Sequence, residues 1–167
     1  MSVFRIASLL IVAVTVAACG DDSSARDCQQ PSDPSRQVEA CTRVIAGDAK
    51  AAKAYNNRCQ AYNELRAYDK ALPDCNMAIK LTPSTASPYN NRGVTHEMRG
   101  DLDAALQDYD KAVALNPRFA VALANRGDIY AKKGDKQRAI SEYRAALAVD
   151  PGNDVALSGL NKLGFRP

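Results

Sequence analysis

Three copies of one 34-residue unit run from Ala52 to Asn153 without a gap or an insertion. Cys59, Gly93 and Gly127 fall one period apart, and so do Ala71, Ala105 and Ala139, then Ala78, Ala112 and Ala146, and finally Pro83, Pro117 and Pro151. A unit this short cannot bury an apolar face alone, so the units must stack, each against its neighbours. Within a unit the spacing of Ala104, Ala105, Tyr109, Ala112, Val113 and Leu115 follows the three-and-four rhythm of an amphipathic helix. The recurring small residues let two helices approach closely, and the tyrosines act as knobs that fill the space between them. Gly100-Asp101 and Gly134-Asp135 predict a turn followed by a helix N-cap inside the second and third units. Pro117 and Pro151 close the second helix of each, since proline cannot continue the hydrogen-bond ladder. With no strand pattern anywhere, the expected class is all-α.

The residues at these positions resemble the tetratricopeptide repeat family over about 100 of the 167 residues. The second unit supplies Tyr89, Gly93, His96, Ala105, Tyr109, Ala112 and Pro117, and the third Leu123, Gly127, Tyr130, Ala139, Tyr143, Ala146 and Pro151. The first has Tyr55, Tyr62, Ala71, Ala78 and Pro83 in place, but Cys59 stands where glycine is expected and Cys75 where an aromatic is expected. The resemblance implies a right-handed α-solenoid of helix-turn-helix repeats over 52–85, 86–119 and 120–153. A leading half repeat is expected over 28–51, and a capping helix and tail over 154–167, with Leu157, Leu160 and Leu163 on one stripe.

The amino terminus carries a different signal. Arg5 precedes an uncharged run of thirteen residues, Ile6 to Ala18, and then Cys19. The run falls short of the roughly 20 residues that a membrane-spanning helix needs, and reads as a signal peptide over 1–18. Val16-Ala17-Ala18-Cys19 resembles the lipobox of bacterial lipoproteins, which implies a lipidated Cys19 followed by a flexible tether over 19–27. The expected location is the bacterial cell envelope, lipid-anchored in a membrane and facing the periplasm or the exterior. Val16 and Ala18 also fit a small-x-small cleavage site, so a secreted soluble periplasmic protein is the alternative.

Four further cysteines, Cys28, Cys41, Cys59 and Cys75, all lie in the first half of the chain. In an exported protein an even set is expected to pair. In the register that the resemblance assigns, Cys28 faces Cys41 and Cys59 faces Cys75 across helix pairs. Those bridges are the expected ones, with Cys41–Cys59 across the boundary between units as the alternative. There is no Cys-x-x-Cys pair, and the single histidine, His96, takes an aromatic packing position, so no metal and no cofactor is expected.

Nothing points to catalysis: no phosphate-cradling glycine loop, no glycine-flanked serine elbow and no second histidine are present. Acid pairs such as Asp108 with Asp110, or Glu142 with Asp135, read as solvated or capping. The formal charge is +3, and residues 1–18 hold Arg5 and no acid, so the remainder is nearly balanced and lacks the basic stripe of a nucleic-acid binder. The resemblance directs attention to a concave groove lined by the first helix of each unit. There it implies Lys53, Asn56, Asn57 and Gln60, then Asn90, Asn91 and Val94, then Asn125 and Asp128 as partner-binding residues.

Asn57, Asn91 and Asn125 recur at one position, a row of amides able either to donate to and accept from an extended peptide backbone or to tie neighbouring helices together. Arg58, Arg92 and Arg126 follow them, with stems expected along the groove wall and guanidinium groups toward water or a nearby acid. Family members that clamp a chaperone's carboxylate tail need lysine, arginine and asparagine at five places that here hold Asn56, Gln60, Asn91, Val121 and Asn125. Only Asn91 matches, so that clamp is not expected. The expected function is a non-catalytic scaffold that binds an extended peptide segment of another protein for complex assembly. The alternative is a small envelope lipoprotein acting as an accessory factor, or as a binder of a glycan or peptide ligand. A homodimer through the flank of the third repeat is a further expectation.

Overall fold

The computed structural model describes residues 22–30 and 33–165; the expected signal peptide over 1–18 and Cys19 lie outside the described residues. Nine helices are found among them: α1 Asp22–Gln29, α2 Pro34–Gly47, α3 Ala52–Glu64, α4 Tyr68–Leu81, α5 Ala86–Met98, α6 Leu102–Leu115, α7 Ala120–Lys132, α8 Lys136–Val149 and α9 Asp154–Lys162. In each repeat a helix of 13 residues is followed by one of 14. Each first helix packs on the second helix of its own pair and on the first helix of the next. The backbones of the second helices α4, α6 and α8 do not come close to one another. The inner surface is therefore built of first helices in contact, and the outer one of second helices splayed apart, as in a solenoid.

The turns inside the repeats follow from backbone sterics. Gly100 and Gly134 adopt φ of 87° and 82°, the left-handed conformation that glycine takes without a Cβ penalty. The first repeat has Arg66 at the same place, forced to φ 57°. Asp135 caps α8 by accepting from the Arg138 backbone N–H at 3.0 Å. Asp101 makes no such bond at α6, contrary to the expected cap; its carboxylate is turned toward His96 and Arg99.

Knob-and-hole packing holds each pair. A Cβ on Gly93 would lie 2.6 Å from the Tyr109 ring, and one on Gly127 would lie 2.8 Å from that of Tyr143. A Cβ on Gly159 of α9 would also run into the Tyr143 ring, so α9 completes the last repeat. In the first repeat the knob and the hole are replaced by a covalent bond, Cys59–Cys75, with Cα atoms 5.4 Å apart. Cys28–Cys41 ties α1 to α2 in the same manner, with Cα atoms 4.7 Å apart. Both expected bridges are formed.

The leading unit differs from expectation. Residues expected as a flexible tether are helical from Asp22, so the leading unit pairs a short helix of 8 residues with one of 14. The tertiary contacts that hold this short helix include the cystine, Arg43 donating to Ser24 Oγ at 3.0 Å, and bonds to the Cys28 carbonyl at its C-terminal end. That carbonyl accepts from Gln37 Nε2 at 3.1 Å and Asn57 Nδ2 at 3.0 Å, satisfying a group that the helix leaves unpaired.

Candidate functional site

Polar side chains stitch the inner surface together. Asn91 Nδ2 donates to Asn56 Oδ1 at 3.0 Å, and Asn125 Nδ2 donates to Asn90 Oδ1 at 3.1 Å. With the Asn57 bond to the Cys28 carbonyl, each asparagine of the recurring row reaches back one unit and fastens its helix to the preceding first helix. Asn63 joins the chain, donating to the Asn91 carbonyl at 2.9 Å and accepting from Thr95 Oγ1 at 2.8 Å. Asn90 and Asn91 are buried. Asn90 and Asn91 thus lie in the floor of the groove, where burial requires that each amide be bonded.

The arginine guanidinium groups turn to nearby acids. Arg58 makes two bonds to Asp74 at 2.6 and 2.8 Å, Arg92 two to Asp108 at 2.8 and 2.7 Å, and Arg126 two to Glu142 at 2.8 and 2.9 Å. A third contact from each goes to the preceding second helix, at Thr42, Asn76 and Asp110 respectively. Asp108 and Glu142 are therefore not solvated surface acids: their side chains keep 7% and 16% exposure, beneath paired guanidinium forks. Hydrogen bonds to Asp74 and Asp108 hold Arg58 and Arg92 more firmly charged than usual. At Arg126 burial opposes the charge, and the bonds to Glu142 outweigh it.

His96 lies against α6 with Nδ1 and Nε2 each 3.9 Å from a carboxylate oxygen, of Asp101 and Asp108. It fills the place that tyrosine takes in the flanking repeats.

Above the asparagine floor lies an open recess of about 490 Å³ between α3, α5 and α7. Of the residues expected in the groove, Gln60, Asn90, Asn91 and Val94 line it. Met98 and Val121 also border it and are 52% and 47% exposed, among the few large apolar side chains left in water. Lys53 and Asn56 line a smaller recess of about 260 Å³ beside Ser87 and Pro88. Asn57 and Asn125 serve the inter-helix bonds described above. Asp128 accepts from the Tyr143 hydroxyl at 2.5 Å, one repeat beyond Val94. Arg66, Tyr68 and Phe119 line the main recess too and were not expected there, since they belong to the turns and helix starts that bound the first helices.

Two ionisation effects mark the far end. Burial pushes the Asp128 carboxyl up, and the Tyr143 hydrogen bond only partly offsets this. Tyr109 and Tyr143 are pushed well above the ordinary phenol range, first by burial and then by their acid partners Glu97 and Asp128. Both rings thus serve as neutral hydrogen-bond donors.

Solved structures with the same fold include a thermophilic tetratricopeptide protein, TTC0263, from Thermus thermophilus, at TM-score 0.71 and 20% identity over 78% of this chain and 75% of that one. MamA superposes with TM-score 0.68 and 19% identity over 87% and 86% of the two chains. The first repeat domain of Spaghetti (RPAP3), bound to HSP90 peptide SRMEEVD, superposes with TM-score 0.65 and 23% identity over 70% and 93%. No curated protein matches by sequence. Models described as Tetratricopeptide repeat match residues 52–84, 86–119 and 120–153, which is more than half of the chain. The 34-residue period, the glycine-tyrosine packing and the stacked helix pairs have one common source: the chain belongs to the tetratricopeptide repeat family.

Proposed function

We propose that this protein is a non-catalytic scaffold whose inner groove holds an extended segment of another protein. The observation that carries the reading is the pair of exposed apolar side chains, Met98 and Val121, standing over a floor of bonded asparagines. Such a floor resists rearrangement, so the groove is preformed and its occupant bears most of the ordering entropy. Support also comes from the Spaghetti (RPAP3) domain, which was solved with an HSP90 peptide. The chain offers only Asn91 of the residues expected for a carboxylate clamp, so the contacts proposed here are apolar ones at Val94, Met98 and Val121.

Display panning of a randomised peptide library on the mature chain tests this directly. Wild type should enrich a family of segments, and the double substitution Met98→Glu with Val121→Glu should weaken them by at least tenfold while leaving the fold intact, since both side chains are exposed. Equal binding by the double variant would contradict the groove reading.

The proposed location is the bacterial envelope, through an acyl anchor on Cys19. The two cystines support an oxidising compartment. Intact mass of the mature protein tests the anchor: added mass matching acyl chains is expected, and an unmodified Cys19 terminus would contradict it.

A further inference from the structure

The groove changes character along its length. Gln60, Val94 and Asp128 occupy one row at one-repeat spacing, and Asn63, Glu97 and Ala131 the next. Gln60, Asn63 and Val94 line the main recess, so Asp128 and Glu97 continue the same two rows toward α9. The charge of Glu97 is matched on the spot: Lys132 donates to one of its oxygens at 2.6 Å and the Tyr109 hydroxyl to the other at 2.7 Å. Asp128 differs. It is half-buried and bonded to the neutral Tyr143 hydroxyl, and no lysine or arginine among the described residues lies within ion-pair distance of it. Lys132 and Lys162 act on it only from farther off, and Glu97 adds repulsion. A carboxylate held where burial opposes its ionisation works against the fold, and one without a bonded cation has capacity for an incoming one.

The distance from the apolar patch sets a spacing. Val121 and Asp128 are seven residues apart on α7, which is roughly 10 Å at 1.5 Å per residue. An extended chain covers that in about three residues. We propose that the groove selects a segment with an aliphatic or aromatic side chain seated on Val94, Met98 and Val121, and a lysine or arginine about three residues away that pairs with Asp128. This rests on the groove reading above and adds the chemistry of the occupant. Segments rich in aspartate or glutamate are excluded by the same charge.

The test uses the mature chain and peptides chosen from the panned library, measured by fluorescence polarisation at low and moderate salt. Selected sequences should be enriched in lysine or arginine at that spacing. Replacing the basic residue with glutamate should weaken binding about tenfold or more. Asp128→Asn should weaken the basic peptide by a similar factor and leave the glutamate twin no worse, and Asp128→Lys should restore the twin. Tyr143 can donate to the introduced amide oxygen, so the asparagine variant keeps its packing; circular dichroism checks this. If peptides bind and Met98→Glu abolishes binding, yet Asp128→Asn has no effect on the basic peptide, the charge inference falls while the groove stands. If no peptide binds wild type, both fall.

Discussion

Cys59 and Cys75 stand where the other repeats place a glycine hole and a tyrosine knob, and this predicts how the protein responds to reduction. The two bridges join residues 13 and 16 apart in sequence. In the chain-entropy model each contributes roughly 3 kcal/mol. Reducing the first repeat also leaves two thiols where its neighbours have an aromatic ring, with no compensating gain in packing. The C-terminal end needs no such tie, because Leu123, Ile140, Tyr143 and Leu160 form a continuous core there.

Since a solenoid's stability is close to a sum over units and interfaces, the loss should be local. Amide hydrogen exchange with and without reductant reads it. In α1 to α4 the protection should fall by about two orders of magnitude per bridge lost, which is roughly 3 kcal/mol. In α7 to α9 it should be nearly unchanged. A graft of the later repeats' packing gives a second outcome. Cys59→Gly with Cys75→Tyr restores the packing of the later repeats, and the introduced hydroxyl finds Gln60 at the place where Asp128 receives Tyr143. That variant should hold α3 and α4 more firmly than the reduced wild type, by about 1.5–3 kcal/mol for a buried ring. Unchanged protection of α1 to α4 on reduction, or a loss spread evenly to α9, would refute the argument.

Other outcomes follow from single residues. Arg66→Gly relieves a left-handed backbone that the later repeats give to glycine, and should add about 1 kcal/mol, seen as a melting point a few degrees higher. Asp108→Ala strands the Arg92 fork and should cost about 2 kcal/mol in chemical denaturation, while Arg92→Leu combined with Asp108→Leu should recover much of it; strictly additive single effects would show that the pair is not coupled. The folded state holds the Asp128 carboxyl above its unfolded value, so ionisation subtracts stability at high pH. That deficit fades as pH falls through the carboxylate range, where the group is protonated in both states. Asp128→Asn should therefore be more stable than wild type at about pH 7, with the difference vanishing toward about pH 3 in urea titrations.

Small and aromatic residues at fixed period made the helix pairs legible, because close packing leaves few choices at those positions. The disulfide partners were legible for the same reason, since the repeat register places them opposite one another. The start of α1 was not. Asp22–Gln29 has no apolar stripe, and its helix is held by tertiary bonds that no local pattern records. The arginine-acid ladder was written in the sequence, with Arg58, Arg92 and Arg126 each sixteen residues before Asp74, Asp108 or Glu142. Which acid each guanidinium meets is harder to read, because charged residues are ordinarily placed at the surface. The asparagines allow two readings in the sequence, an open row of donors and acceptors or ties between neighbouring helices, and adjacent helices come close enough to use those groups among themselves.

The central claim is that the inner face of α3, α5 and α7 is the binding surface. Amide chemical-shift mapping tests it most directly, with a peptide selected on the wild-type chain titrated into labelled protein. The account predicts saturable shifts at Gln60, Val94, Met98 and Val121 and along the row to Asp128, with α4, α6 and α8 unaffected on their outer sides. Shifts confined to the outer helices, or to the flank around Val155 and Phe165, would contradict it.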